Sequence, residues 1–123
     1  MIRPKEFYNT GIEYFHNAIA FSKSNKFGEV ITLNVIAMSA EYLLSAMLLK
    51  NGIEHHDAGL ENILCTLEKN KLIPEEVKIK ASEISKQSPC KEPNEGEFDI
   101  ENQIDSLRGI KVWADESFKL VKV

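Results

Sequence analysis

One long apolar stretch, from Phe27 to Gly52, constrains the fold more than any other part of the sequence. Its apolar residues recur at helical spacing, but they are spread around most of the helical circumference. A helix that is apolar on most sides has to be covered on most sides. We therefore predict that this stretch is the central helix of a bundle and that the other helices pack around it.

The composition is that of an ordinary globular domain. With 123 residues, of which 43% are apolar and 28% charged, the chain is most simply one domain covering residues 1–123. The formal net charge is -4, and Arg3 and Arg108 are the only arginines. A surface that neutralises phosphates would need more positive charge than this. RNA or nucleotide binding is therefore not supported by charge.

The sequence also predicts the compartment. Cys65 and Cys90 are too far apart for a metal knuckle or a redox pair, so we interpret them as free thiols in a reducing compartment. The first ten residues, MIRPKEFYNT, lack the apolar core of a signal peptide. Polar residues interrupt the apolar run Val30–Leu49, which a membrane span would tolerate poorly. We expect a cytoplasmic protein without a membrane span.

Helical periodicity recurs along the chain, and no β-alternation is found. The predicted helices cover Pro4–Ser24, Glu29–Asn51, Ala58–Asn70, Pro74–Lys86 and Ile100–Val121. Gly52 should end the second helix, and Asp57 can cap the third. Gly11 should let a neighbouring backbone approach the first helix closely. The residues QSPCKEPNEGEF before the last helix predict a long loop. The predicted fold is all-α, an up-and-down antiparallel bundle of four or five helices.

Three polar residues of the second helix, Asn34, Glu41 and Ser45, lie within about 40° of one another on the helical circumference. A carboxylate on a largely buried helix is costly unless it is paired. In one interpretation, Glu41 is a partly exposed or lysine-paired residue at a seam between helices, and its neighbours extend a solvated stripe. In the other, the three residues form a polar line that positions a nucleotide or a partner.

The segment Ile53–Asp57 contains two adjacent histidines, His55 and His56. Together with Lys50 they are most simply turn residues, with the lysine serving a helix C-terminus. A metal site made of both histidines and Asp57 would need a further ligand from elsewhere, because adjacent side chains seldom converge on one ion. We expect neither a metal nor a cofactor.

Three short motifs carry a family resemblance: SAEYLL in the second helix, LLKNGI at its end, and HHD before the third helix. In these motifs the chain resembles the HEPN family of small helical bundles, where an Ala-Ala-Glu-x-x-Leu-like stretch precedes a Leu-Leu-x-x-Gly-Ile turn and a histidine-containing segment. The last helix, with WADESF, resembles the closing helix of that family more loosely. The resemblance implies a four- or five-helix bundle that commonly forms a homodimer.

Catalytically active HEPN members cut RNA without a metal, using an arginine followed after four to six residues by a histidine. Such a pair makes chemical sense, because the histidine moves a proton while the arginine stabilises phosphate charge. In this chain neither Arg3 nor Arg108 is followed by such a histidine, and Ile84–Leu107 contains neither residue type. Other members pair with a small nucleotidyltransferase or are thought to bind nucleotides.

The leading hypothesis is therefore a non-catalytic HEPN-like binding or interaction module. It would form a homodimer or pair with a nucleotidyltransferase in a toxin–antitoxin-like context. The predicted ligand- or partner-binding residues are Asn34, Glu41, Ser45, His56 and Asp57, and no catalytic residue is assigned. Two alternatives stay open: a divergent metal-independent ribonuclease that uses His55 or His56, and a protein-interaction dimer with no small ligand.

Overall fold

The computed structural model of the chain describes residues 3–24, 28–53, 59–86 and 100–119. These residues form five α-helices and no β-strand, so the predicted all-α bundle is confirmed. The helices are α1 (Pro4–Ser24), α2 (Gly28–Lys50), α3 (Leu60–Lys69), α4 (Glu75–Lys86) and α5 (Ile100–Lys119). The predicted loop over residues 87–98 lies outside the described residues, as does the end of the predicted last helix.

Helix α2 contacts all four other helices, and its most extensive contacts are with α1. Its C-terminal half is mostly covered: Leu43, Leu44 and Leu48 are 0% exposed. The N-terminal half differs from the prediction, because Ile31 and Met38 are exposed there. The reason is one of length. Helix α3 has 10 residues and α2 has 23, so α3 spans about 15 Å of the roughly 35 Å of α2.

Most of the apolar helix α2 is buried inside the bundle. By length and composition, Val30–Lys50 is able to cross a membrane, with a mean hydropathy of 1.5. However, 61% of this window is buried in the structure, as in the core helix of a bundle. Length and composition are therefore weak evidence that this helix spans a membrane.

Helices α1 and α2 cross closely at Gly11. A Cβ atom added there would lie 2.8 Å from both Cγ and Cδ2 of Leu43. The buried Ser39 hydroxyl donates a hydrogen bond of 2.8 Å to the Gly11 carbonyl across the same crossing. The predicted close approach at Gly11 is confirmed, since no larger residue fits there without a shift in α2.

The end of α2 forms as the sequence predicts. Gly52 has a φ of 77°, in the left-handed region that glycine adopts at low cost. Its N–H donates to the Leu49 carbonyl at 3.0 Å, and the Ile53 N–H donates to the Leu48 carbonyl at 2.9 Å. This pair of bonds is the Schellman motif, which satisfies carbonyls left open at a helix end.

The start of α3 differs from the prediction. The residue before its first turn is Gly59, with a φ of 138° and no side-chain cap. That backbone conformation is not helical, so the helix cannot extend back through Gly59. It begins at Leu60, two residues later than predicted, and the prediction of Asp57 as its N-cap is wrong.

Candidate functional site

The predicted polar line on α2 does not form one continuous exposed surface. Asn34 is exposed, Glu41 is partly buried, and Ser45 is buried. The solvated stripe of the first interpretation therefore ends before Ser45. The other two predicted binding residues, His56 and Asp57, lie outside the described residues.

Glu41 lies at the seam between α2 and α3. Its carboxylate accepts a hydrogen bond from the backbone N–H of Leu60, the first residue of α3. Helix N-termini carry unpaired N–H groups and a partial positive charge, and Gly59 has no side chain to satisfy them. Glu41 therefore supplies from α2 the negative group that the start of α3 lacks.

Burial and hydrogen bonding act on the Glu41 carboxyl in opposite directions. Burial raises its pKa above the ordinary value of 4.5, and the Leu60 N–H lowers it by a smaller amount. The pKa therefore remains raised in the folded protein. Near the pKa of Glu41 the folded state therefore binds more protons than the unfolded state. The free energy of unfolding then falls as the pH rises through that pKa.

We expect Glu41→Gln to leave the free energy of unfolding at pH 7 unchanged or slightly raised. The amide keeps an acceptor oxygen for the Leu60 N–H and has no charge to desolvate. Glu41→Ala removes the acceptor and should lower the free energy of unfolding by about 1 kcal/mol. Urea denaturation of the purified variants at pH 7 measures both effects.

Asn34→Ala is the matched control, because Asn34 is an exposed polar residue of the same helix and should change stability little. If Glu41→Gln were as destabilising as Glu41→Ala, the negative charge itself would be required, and the expectation that an uncharged acceptor oxygen is sufficient would fail.

A second polar cluster, which we call the Tyr8 cluster, joins α1 to the end of α5. The Tyr8 hydroxyl donates a hydrogen bond to the Asp115 carboxylate, and the Lys111 ammonium lies 2.6 Å from the same carboxylate. The lysine and aspartate side chains are only 24% and 18% exposed. Ring stacking adds a further contact, because the Tyr8 and Phe118 ring centroids are 4.6 Å apart.

Lys50, at the end of α2, extends this cluster. Its ammonium donates to the backbone carbonyl of Ser117 and lies 5.3 Å from the centre of the Phe118 ring. The lysine was expected to serve the C-terminus of its own helix. It does lie in the last turn of α2, and its ammonium also reaches the last turn of α5, where a cation is equally favourable. Helix α2 thus provides an anion at the start of α3 and a cation at the end of α5.

The Tyr8 cluster is suited to structure and not to proton transfer. Burial, followed by the contact with Asp115, raises the pKa of Tyr8 to about 12. The phenol is therefore fully protonated near neutral pH, and a general acid or base works best with a pKa near the operating pH. Sequence reasoning missed the cluster because Tyr8 and Asp115 are 107 positions apart. The i,i+4 pair of Lys111 and Asp115 was its one local signal.

Within the described residues, no group of three or more His, Cys, Asp or Glu side chains is arranged to hold a metal ion. The polar clusters found there join helices to one another.

Three exposed apolar side chains lie on the uncovered side of α2, and we call this surface, with Tyr42 and the adjoining Tyr14 of α1, the α1–α2 face. Val30, Ile31 and Met38 are 52%, 46% and 37% exposed. Tyr42 continues this side of α2 one turn beyond Met38. It stacks on Tyr14 of α1, with ring centroids 5.6 Å apart. Large exposed apolar patches on a folded domain mark interaction sites.

The fold defines a general class: a small all-α helical bundle, in which a few polar side chains connect helices. No protein-family model matches the chain, and no significant match was found among curated proteins or solved structures.

Proposed function

We propose that this chain is a non-catalytic, HEPN-like binding and interaction module that forms a homodimer through the α1–α2 face. The observation that carries the proposal is the exposure of Val30, Ile31 and Met38 on the most apolar helix of the bundle. Water contact with these side chains is unfavourable by about 25 cal/mol per Å². The resemblance of the SAEYLL and LLKNGI motifs to a family that commonly dimerises supports the same assignment.

The size of the face agrees with a second copy as its occupant. Helix α1 has 21 residues and is therefore about 31 Å long. Two packed helices, each about 10 Å wide with axes about 9 Å apart, present a projected area of roughly 600 Å². A side-chain surface is larger than its projection, and stable interfaces bury about 800 Å² on each partner. The whole outer side of one helix pair thus provides about the area that a symmetric dimer needs, with the exposed apolar side chains in the N-terminal half of α2.

The other partners implied by the resemblance are weaker proposals. A small nucleotidyltransferase could occupy the same face in a toxin–antitoxin-like context, and a nucleotide could contact Asn34 at its polar edge. The ribonuclease alternative gains no support, because His55 and His56 lie outside the described residues. The module would act in the cytoplasm, as the sequence suggests.

The double variant Ile31→Glu/Met38→Glu should convert the dimer to a monomer. It places two carboxylates on each copy in the centre of an apolar interface, where charge is costly to desolvate. We expect light scattering after size-exclusion chromatography at about 50 µM to give twice 13.9 kDa for the parent protein and 13.9 kDa for the variant. Circular dichroism should show unchanged helix content.

The matched control is Ile79→Glu, which changes another apolar side chain, 55% exposed on α4, and should leave the dimer intact. A parent protein that stays monomeric at about 100 µM would contradict the proposed homodimer. So would a double variant that remains dimeric. A monomer produced by Ile79→Glu alone would place the interface elsewhere.

A further inference from the structure

A second surface, separate from the α1–α2 face, lies between α4 and α5. This α4–α5 groove has a volume of about 460 Å³. Its charged lining residues are Glu76, Lys80, Asp105, Arg108 and Glu116, and its apolar part includes Val112 and Trp113. None of the predicted binding residues and no member of the Tyr8 cluster belongs to it.

Gly109 allows a close contact between α5 and Lys80 at the middle of the groove. A Cβ atom there would lie 2.5 Å from Cδ and 2.6 Å from Cε of Lys80. The lysine side chain therefore lies directly across the α5 backbone, with its aliphatic stem on the glycine.

The floor beside Gly109 is apolar and accessible. Val112 is 49% exposed, and Trp113, the only tryptophan of the chain, is partly buried next to it. Exposed aromatic and aliphatic side chains in a depression are the usual anchors of protein recognition.

The charges of the groove are ordered along its length. Helices α4 and α5 are antiparallel, since Gln103 near the start of α5 donates to the carbonyl of Glu83 near the end of α4. Glu76 and Glu116 therefore lie at one end, Lys80 and Arg108 lie at the middle, and Asp105 lies beyond Arg108. By helical rise, the two charged zones are about 6 Å apart along α4 and about 12 Å apart along α5.

The basic zone is open to a partner carboxylate. Arg108 contacts Asp105 on its own helix at 3.3 Å, and both side chains are mostly exposed. Exposed pairs of this kind contribute little, so a second carboxylate can compete for the guanidinium. Lys80 forms no ion pair within the part of the chain that the structure describes.

We propose that the α4–α5 groove binds an amphipathic α-helix of a partner protein. The partner helix carries a basic and an acidic residue two turns apart, and an apolar residue between them packs against Val112 and Trp113. The basic residue would meet Glu76 and Glu116, and the acidic residue would meet Lys80 and Arg108. Two helical turns, about 10.5 Å, lie between the separations of the zones along α4 and along α5. Helix-in-groove binding recurs among protein domains. The proposal is independent of the proposed homodimer.

Three synthetic helical peptides test the proposal. All three have leucines at positions i+3 and i+4. The mixed peptide has lysine at i and glutamate at i+7, and the two like-charged peptides have either lysine or glutamate at both i and i+7. Trp113 reports binding to the parent protein, because covering the only indole shifts its fluorescence to shorter wavelength. We expect a saturable shift with the mixed peptide, at an affinity about three- to tenfold higher than with either like-charged peptide.

Variants of the groove sharpen the test. Glu76→Lys/Glu116→Lys makes both zones basic and should move the preference to the peptide with two glutamates. Val112→Glu should weaken all three peptides at least about tenfold. Ile31→Glu, on the α1–α2 face, should change none of them.

The proposal is overturned if no peptide gives a saturable shift up to about 1 mM, or if the double lysine variant leaves the preference unchanged. It is also overturned if Val112→Glu converts a dimer to a monomer while Ile31→Glu/Met38→Glu does not, because the groove then holds a second copy. Failure of the homodimer alone would leave the peptide results unaffected, so the two proposals fail separately.

Discussion

Gly11→Ala is expected to lower the free energy of unfolding by about 2 kcal/mol, the middle of the range for overpacked sites. The added Cβ would lie 2.8 Å from side-chain atoms of Leu43 and 3.1 Å from its backbone nitrogen. The backbone of α2 cannot move away easily, because Ser39 bonds to the Gly11 carbonyl at the same crossing. Better helix propensity offers at most about 1 kcal/mol in return. Urea denaturation measures the net effect.

Gly109→Ala is the matched control, with the opposite sign. Its new Cβ would meet only Cδ and Cε of Lys80, the far end of a flexible side chain that can swing into solvent. The gain in helix propensity should then prevail and raise the free energy of unfolding by about 0.5–1 kcal/mol. If both glycine variants were equally destabilising, the close crossing at Gly11 would not be the cause.

Asp115→Ala is expected to lower the free energy of unfolding by about 2–3 kcal/mol. The substitution leaves the mostly covered ammonium of Lys111 and the hydroxyl of Tyr8 without their shared acceptor. Removing one partner of a largely buried pair strands the other charge, which costs more than the pair itself contributes. Thermal and urea unfolding at pH 7 measure the loss.

Asp105→Ala is the control for Asp115→Ala. Asp105 also pairs with a cation on α5, Arg108, but both side chains of that salt bridge are exposed. The free energy of unfolding should therefore change by no more than about 0.5 kcal/mol. Equal effects of the two variants would contradict the assignment of the Tyr8 cluster as a clamp between helices.

The alkaline stability profile gives a further check on Asp115→Ala. The pKa of Tyr8 rises from its ordinary value of 10.0 to about 12 in the folded protein. The folded state therefore retains a proton that the unfolded state loses, and this contribution, complete below pH 10, is lost between pH 10 and about 12. Because Asp115 causes part of the shift, Asp115→Ala should reduce the loss of stability in that range.

Local features of the fold could be predicted from the sequence. The range of α1, the Schellman motif at Gly52 and the close approach at Gly11 depend on helical spacing or on one residue's conformational freedom. The start of α3 was predicted wrongly because Asp57 is a good capping residue. The backbone conformation of Gly59, which is not helical and favours glycine, sets the start of α3 instead.

The candidate site could be predicted only in part. The sequence identified Glu41 as a carboxylate that needs a partner, but that partner is the N–H of Leu60, on another helix. It identified Lys50 as a cation in the last turn of α2, but not its second contact, with the end of α5. In both cases the charge was evident from the sequence and its partner was not.

The sequence by itself determined which segments are helical, where glycines are required, and that α2 is the central helix. Those properties arise from hydrogen bonds and side-chain spacing within about four residues. The tertiary structure decided which side of α2 stays exposed and which residues meet Glu41, Lys50 and Tyr8. These depend on how the helices cross and how far each one reaches, which is set by packing between residues distant in the chain.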